Sequence, residues 1–114
     1  MPGARRTEVK AEIKKGDYSH LKEPSKVGPG RNTTSSQRKA ILEENKKQNG
    51  GQLRSDGDGR ILNPPQQNIK GKKSDMNQAE VDHKTPKSKG GSNSNKNLRV
   101  ISKDENLKKG NRTN

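Results

Sequence analysis

The sequence predicts a small α+β domain, and three local patterns carry that prediction. Thr34 and Gln37 have the spacing of a helix-capping box. Ser102 and Glu105 repeat the same pattern near the C-terminus. Before this second helix start, a short stretch of alternating polar and apolar residues is typical of a half-buried strand. A chain of 114 residues allows one small domain at most.

The composition excludes several classes of protein. Only 19% of the residues are hydrophobic, and Leu, Ile, Val and Phe together supply 15 of 114 positions. This content is too low for a large buried core or an apolar pocket for a small-molecule cofactor. No apolar run is long enough for a membrane span, and no signal peptide is expected. The absence of cysteine excludes disulfides and thiolate zinc sites.

The charge predicts an anionic partner. The net charge is +13 and the isoelectric point is near 10.2, which favours nucleic acid as that partner. Residues 1–40 carry 10 basic and 4 acidic groups, residues 41–83 carry 7 of each, and residues 84–114 carry 9 and 2. Two basic flanks therefore bracket a neutral middle. A featureless basic tail, the alternative interpretation, gives no reason for such a distribution.

Residues 1–33 are predicted to be a flexible basic N-terminal segment. This stretch lacks hydrophobic periodicity and contains several prolines and glycines, with one weak helical pattern over Glu8–Lys15. The first helix is expected to begin after Thr34, to carry a narrow apolar stripe at residues 40–42 and to end at Gly50. The folded domain is accordingly placed at residues 34–114.

A β-hairpin is expected next. Residues 56–59, Asp-Gly-Asp-Gly, form a turn between the short strands Gln52–Ser55 and Arg60–Leu62. The same four residues suggest a calcium loop, but Arg60 occupies its third ligand position and Gln67 occupies its twelfth position, where the loop needs Glu. Turn chemistry is the better explanation.

The last third of the chain predicts the order strand, loop, strand, helix. An extended stretch at Glu80–His83 precedes a loop over Pro86–Asn95, which contains two adjacent glycines. A half-buried strand at 98–100 and a capped helix at Lys103–Lys109 follow.

Four polar residues lie at the junctions of these elements: Asp82, His83, Asn97 and Asn106. They occur with a Pro-x-Ser-x-Gly-Gly loop, a Ser-Asn-x-x-x-Asn-Leu step and an Asn-x-x-Lys-Gly ending. Taken together, the stretch Glu80–Arg112 resembles the HNH endonucleases, whose site is the ββα-metal finger. The resemblance implies a small HNH nuclease domain with its ββα-metal core at about residues 79–112.

The chemistry of these side chains suits phosphodiester hydrolysis. An unperturbed histidine has a pKa of about 6.5, so a residue such as His83 can take a proton from water as a general base. Asp82 and Asn106 offer hard oxygen ligands for Mg²⁺ or another divalent cation such as Mn²⁺. The resemblance implies that Asn97 supports the loop and orients His83, although spacing alone also allows a simple turn residue. A lone Asp-His pair is usually structural, and Asn106 could merely cap a helix.

Basic residues around this motif are expected to bind phosphates with little reading of sequence. A solvated charged face is the alternative for them. The expected nucleic-acid-binding residues are Lys87, Lys89, Arg99, Lys103, Lys108 and Lys109.

A looser resemblance covers the stretches SQRKAILEENKKQNGG, PPQ and NQAEVDH. These are similar to the C-terminal HNH domains of bacterial polymorphic toxins. The resemblance implies delivery by a secretion system, action in the target-cell cytoplasm and an immunity protein, which we expect to be acidic. The predicted function is a metal-dependent DNA endonuclease of low sequence specificity. The alternatives are a non-catalytic basic nucleic-acid-binding protein and an RNase of the same fold.

Overall fold

The computed structural model describes residues 13–66, 71 and 73–110. Two helices and one two-stranded antiparallel sheet make up the regular structure of these residues, which confirms the α+β class. In chain order, the elements are α1 (Ser35–Gln48), β1 (Ala79–His83), β2 (Leu98–Ser102) and α2 (Lys103–Lys109). Two short 3-10 turns lie between β1 and β2. No helix in the described part of the chain has the length and apolarity to cross a membrane.

The capping box at the start of α1 is confirmed. The Thr34 hydroxyl accepts the backbone N–H of Gln37 at 3.0 Å, and the Gln37 side chain accepts the backbone N–H of Thr34 at 3.2 Å. The helix ends just before Gly50, as expected. Of the expected apolar stripe only Ile41 is fully buried, because α1 presents a single narrow face to the small core.

The strand register places neighbouring side chains of β1 on opposite faces. Val81 pairs with Val100, and Asp82 pairs with Arg99. Because side chains alternate along a strand, Val81 and His83 point to one face and Asp82 to the other. The Val81 face packs on the core that includes α1, while α2 contacts the Asp82 face.

The hairpin over residues 52–62 is present, with one isolated bridge in place of two full strands. Leu62 donates its N–H to the carbonyl of Leu53 at 2.9 Å, and Ser55 donates to the carbonyl of Arg60 at 2.9 Å. Leu53 and Leu62 are both buried in the core. After the hairpin, residues 67–70 and residue 72 lie outside the described part of the chain.

The described part of the N-terminal segment contains no helix or strand and packs against the domain. Tyr18 is only 1% exposed and donates its hydroxyl to Asp56 at 2.6 Å, while Asn45 donates to the Tyr18 oxygen at 3.0 Å. Residues 13–33 therefore contribute to the core, although the boundary at residue 34 and the flexibility of the segment stay predictions. Most of the weak helical pattern at Glu8–Lys15 lies outside the described residues.

Candidate active site

Asn97 fastens both ends of the loop that joins β1 to β2. Its carboxamide oxygen accepts the N–H of Thr85 at 3.0 Å. Its carboxamide nitrogen donates to the carbonyls of Thr85 at 3.2 Å and Ser92 at 2.7 Å. The backbone carbonyl of Asn97 also accepts the N–H of Lys84 at 2.7 Å. Any effect of Asn97 on His83 therefore passes through the loop that it holds.

His83 is the last residue of β1, and its ring faces the N-terminal segment. The Nε2 atom lies 3.2 Å from the backbone carbonyl oxygen of Arg31. Burial lowers the pKa of His83 below its usual 6.5, although the hydrogen bond to Arg31 opposes this shift. The ring is consequently neutral near pH 7, the form that can accept a proton.

Asp82 is buried on the opposite face of β1, at 9% exposure, beside two cationic side chains. Its Oδ2 lies 3.0 Å from Nζ of Lys109 and 3.5 Å from Nε of Arg99. Lys109 also donates to the backbone carbonyl of His83 at 2.7 Å. These contacts offset the cost of burying a carboxylate. They also tie the last turn of α2 to the end of β1.

Asn106 projects from α2 towards the same face of the sheet. Its carboxamide nitrogen donates to Glu80 at 2.8 Å, and Nζ of Lys103 lies 3.8 Å from the same carboxylate. Glu80 is not among the site residues predicted from the sequence. The available signal was its position two residues before Asp82, because residues i and i+2 of a strand share a face.

The side-chain oxygens of Asp82 and Asn106 are of the kind that binds a hard cation, provided that the ion pair between Asp82 and Lys109 opens. The described residues contain no group of three His, Cys, Asp or Glu side chains able to hold a metal ion. The expected ligands are instead one carboxylate and one carboxamide, which suit Mg²⁺ because this ion keeps several bound waters. Because the amide nitrogen of Asn106 donates to Glu80, Asn106 would bind a cation through its amide oxygen. Binding of a cation by Asp82 would require Lys109 to move away from this carboxylate.

The six expected nucleic-acid-binding residues fall into two groups. Lys87 and Lys89 are exposed on a 3-10 turn of the loop, and Lys108 is exposed beside Asp104 on α2. Arg99, Lys103 and Lys109 instead contact the carboxylates of the sheet face.

Lys109 differs most from its expected place on a phosphate-binding surface. It is only 8% exposed, because its ammonium group compensates the buried carboxylate of Asp82. A phosphate-binding role for Lys109 would require this pair to open.

Comparison with known proteins points to the same part of the chain. Neither the curated proteins nor the solved structures contain a match. Residues 65–114 match the family model described as HNH endonuclease. That range holds β1, β2, α2 and every candidate residue from Asp82 to Lys109. The match therefore supports an HNH endonuclease domain in the C-terminal part of this chain.

Proposed function

We propose that this protein is a metal-dependent endonuclease that hydrolyses DNA with low sequence specificity. One observation carries the proposal: Asp82 and His83 are adjacent at the end of β1, where side chains from both faces of the strand can reach one site. Asn106 of α2 lies on the Asp82 face, where it binds Glu80. The loop between the strands is fixed by Asn97. The family match at residues 65–114 supports nuclease activity for the same residues.

In the proposed reaction, His83 acts as the general base. The imidazole takes a proton from a water molecule while the water oxygen forms a bond to phosphorus. The bond from phosphorus to the sugar oxygen breaks, and that oxygen takes a proton from solvent. A divalent ion held by Asp82 and Asn106 would supply Lewis-acid stabilisation of the phosphate and of the leaving oxygen.

A plasmid-nicking assay tests the proposal. We expect nicking in Mg²⁺, no nicking in excess EDTA, and loss of nicking in the His83→Ala variant by at least about a hundredfold. Retention of DNA in a gel-shift assay should survive this substitution, because it removes no permanent charge. His20→Ala is the matched control, since His20 is the only other histidine and lies beside Glu44. Full activity of His83→Ala, or nicking that survives EDTA, would contradict the proposal.

A thermal melt tests the proposed metal ligands separately from catalysis. Because a ligand of the folded state stabilises that state, Mg²⁺ at a hundred times its dissociation constant should add about 2.7 kcal/mol. EDTA should therefore lower the melting temperature. Asn106→Ala should remove this response, whereas an exposed control outside the site, Asn63→Ala, should keep it. An unchanged melt on chelation of the unsubstituted protein would argue against a stabilising metal.

We further propose that the domain is the toxin part of a bacterial polymorphic toxin. The support is the resemblance of its motifs to such domains and a charge of +13, which an acidic immunity protein would cover. On this proposal a secretion system delivers the domain to the target-cell cytoplasm. Expression inside bacteria should arrest growth, and His83→Ala should relieve the arrest. Equal toxicity of the two forms would contradict a nuclease toxin.

Two other functions make different predictions. A binding-only protein is favoured by the cationic neutralisation of Asp82, and it would retain DNA without nicking it in any metal. An RNase of the same fold would degrade structured RNA and spare duplex DNA. Parallel digestion of both polymers distinguishes these functions from the proposed one.

A further inference from the structure

The N-terminal segment contacts His83 through a backbone carbonyl oxygen. The carbonyl oxygen of Arg31 lies 3.2 Å from Nε2 of His83, although the two residues are 52 positions apart. Arg31 lies outside the range that matches the HNH endonuclease family, residues 65–114. The contact is therefore a property of this chain's N-terminal part.

Several hydrogen bonds hold this carbonyl in place. Asn93 accepts the N–H of Gly28 at 3.3 Å and donates to the carbonyl of Asn32 at 3.2 Å, so one buried side chain binds the segment on both sides of Arg31. Gly30 donates its N–H to the carbonyl of Gly91 at 3.0 Å. The segment is thus fixed to the same loop that Asn97 braces.

A second anchor lies earlier in the segment. The carboxylate of Glu23 accepts the hydroxyl of Ser94 at 2.5 Å and the N–H of Asn95 at 2.8 Å. The side chain of Asn95 in turn donates to the carbonyls of Leu21 and Lys22, both at 3.1 Å. Two anchors on the loop therefore limit the movement of the chain between them.

This geometry defines the protonation of the histidine ring. A carbonyl oxygen only accepts hydrogen bonds, so the nitrogen that faces it must carry the proton. In a neutral ring the other nitrogen is then unprotonated. We infer that residues 28–32 form part of the active site, and that the carbonyl of Arg31 holds His83 with Nε2 protonated and Nδ1 available to accept a proton. The catalytic consequence rests on the proposed function, whereas the choice of tautomer does not.

Nuclear magnetic resonance of the full-length protein tests the tautomer directly. The chain contains two histidines, so ¹⁵N-labelled ring spectra at pH 7.5 are assigned with His20→Ala and His83→Ala. We expect His83 to have a protonated Nε2 and an unprotonated Nδ1 in the absence of DNA. A ring protonated at Nδ1 would overturn the inference whether or not the protein cleaves DNA.

A backbone substitution tests the role of the carbonyl. Replacing the amide between Arg31 and Asn32 by an ester, by chemical synthesis of the full chain, weakens this carbonyl as an acceptor and leaves every side chain unchanged. We expect a measurable population of the Nδ1-protonated ring and a fall in kcat of about threefold to tenfold, with KM unchanged. An ester between Ser25 and Lys26, in the same segment, is the matched control.

Asn93→Ala provides an independent genetic variant. Loss of its two bonds to the segment should produce the same tautomer change, with folding checked by circular dichroism. Should the Arg31 ester leave both the tautomer and kcat at the values of the control ester, the inference fails. A fall in kcat that is accompanied by an equal rise in KM would also contradict the inference, because the rise in KM indicates loss of DNA binding. Absence of nicking in the unsubstituted protein would refute the proposed function but leave the tautomer test intact.

Discussion

At the scale of single residues, one carboxylate joins two parts of the fold. Glu105 completes the capping box of α2 by accepting the backbone N–H of Ser102 at 2.9 Å. The same carboxylate accepts the hydroxyl of Ser55 at 2.7 Å and the N–H of Asp58 at 3.0 Å. A local helix signal thus also fastens the hairpin turn to α2.

The pKa of Glu105 predicts a specific dependence of stability on pH. Burial alone would raise this pKa, but the hydrogen bonds from Ser102 and Ser55 outweigh that effect and hold it below the usual 4.5. A group with a lowered pKa in the folded state stabilises fully above its unfolded value and loses this contribution as the pH falls through the folded value. Its contribution is therefore complete at pH 7 and decreases below about pH 4.5.

We expect Glu105→Gln to lower the free energy of unfolding by about 1–2 kcal/mol at pH 7. The difference from the unsubstituted protein should shrink below pH 4.5, as measured by urea unfolding over a pH series. Glu43→Gln is the control, because Glu43 is exposed on α1. A difference that stays constant from pH 7 to pH 3 would show that the charge of Glu105 is not responsible.

At the scale of elements, the loop between the strands depends on two adjacent glycines for different reasons. Gly90 has a φ of +86°, in the left-handed region that favours glycine, with open space around the position of a Cβ atom. Gly91 has no such space, because a Cβ atom there would overlap the backbone carbonyl of Thr85. This close approach lets the loop return to the start of β2. There, Asn97 forms hydrogen bonds with both ends of the loop.

The two glycines should therefore respond differently to substitution. Gly90→Asn should cost less than about 1 kcal/mol, since asparagine adopts the left-handed region readily. Gly91→Ala should cost about 1–3 kcal/mol, because the loop backbone must move. Thermal melts of both variants compare these costs, and nicking assays should show greater loss of activity for Gly91→Ala. Equal destabilisation by the two changes would contradict the steric explanation.

At the scale of the whole molecule, a positive surface surrounds a small core that is partly polar. Tyr18 lies within this core and binds the half-buried Asp56 at its edge, and burial raises the pKa of both groups. Asp56 also accepts the N–H of Val100 at 2.8 Å, so the network connects the N-terminal segment, the hairpin and β2. Hydrogen bonds thus supplement the limited apolar contacts of this chain.

The net charge of +13 predicts DNA binding with a steep dependence on salt. Each phosphate contact contributes about 0.9 to the slope of log K against log salt. If Lys87 and Lys89 bind phosphates, replacing both with glutamine should reduce the slope by about 2, as measured by fluorescence anisotropy on duplex DNA in a KCl series. Lys46 and Lys47 of α1, replaced together, are the charge-matched control. If the two double variants have equal slopes of log K against log salt, Lys87 and Lys89 do not bind phosphates.

The sequence by itself determined the elements that short-range interactions specify. The capping boxes at Thr34 and Ser102 act between residues three positions apart, so both helix starts could be predicted from local spacing. The order strand, loop, strand, helix also followed from local patterns: alternating polar and apolar residues in the second strand, two adjacent glycines in the loop and the capping box of the helix. The motif residues Asp82, His83, Asn97 and Asn106 could be selected because their spacing resembles a known family.

Only the tertiary structure decided which groups meet across long stretches of chain. Tyr18 binds Asp56 across 38 positions, Lys109 binds Asp82 across 27, and the Arg31 carbonyl faces His83 across 52. These pairs have no periodic pattern, because they depend on how the segment, the hairpin and α2 pack around one small sheet. The physical reason is that local propensity fixes where an element begins and ends, whereas burial and hydrogen bonding in the folded chain select its partners.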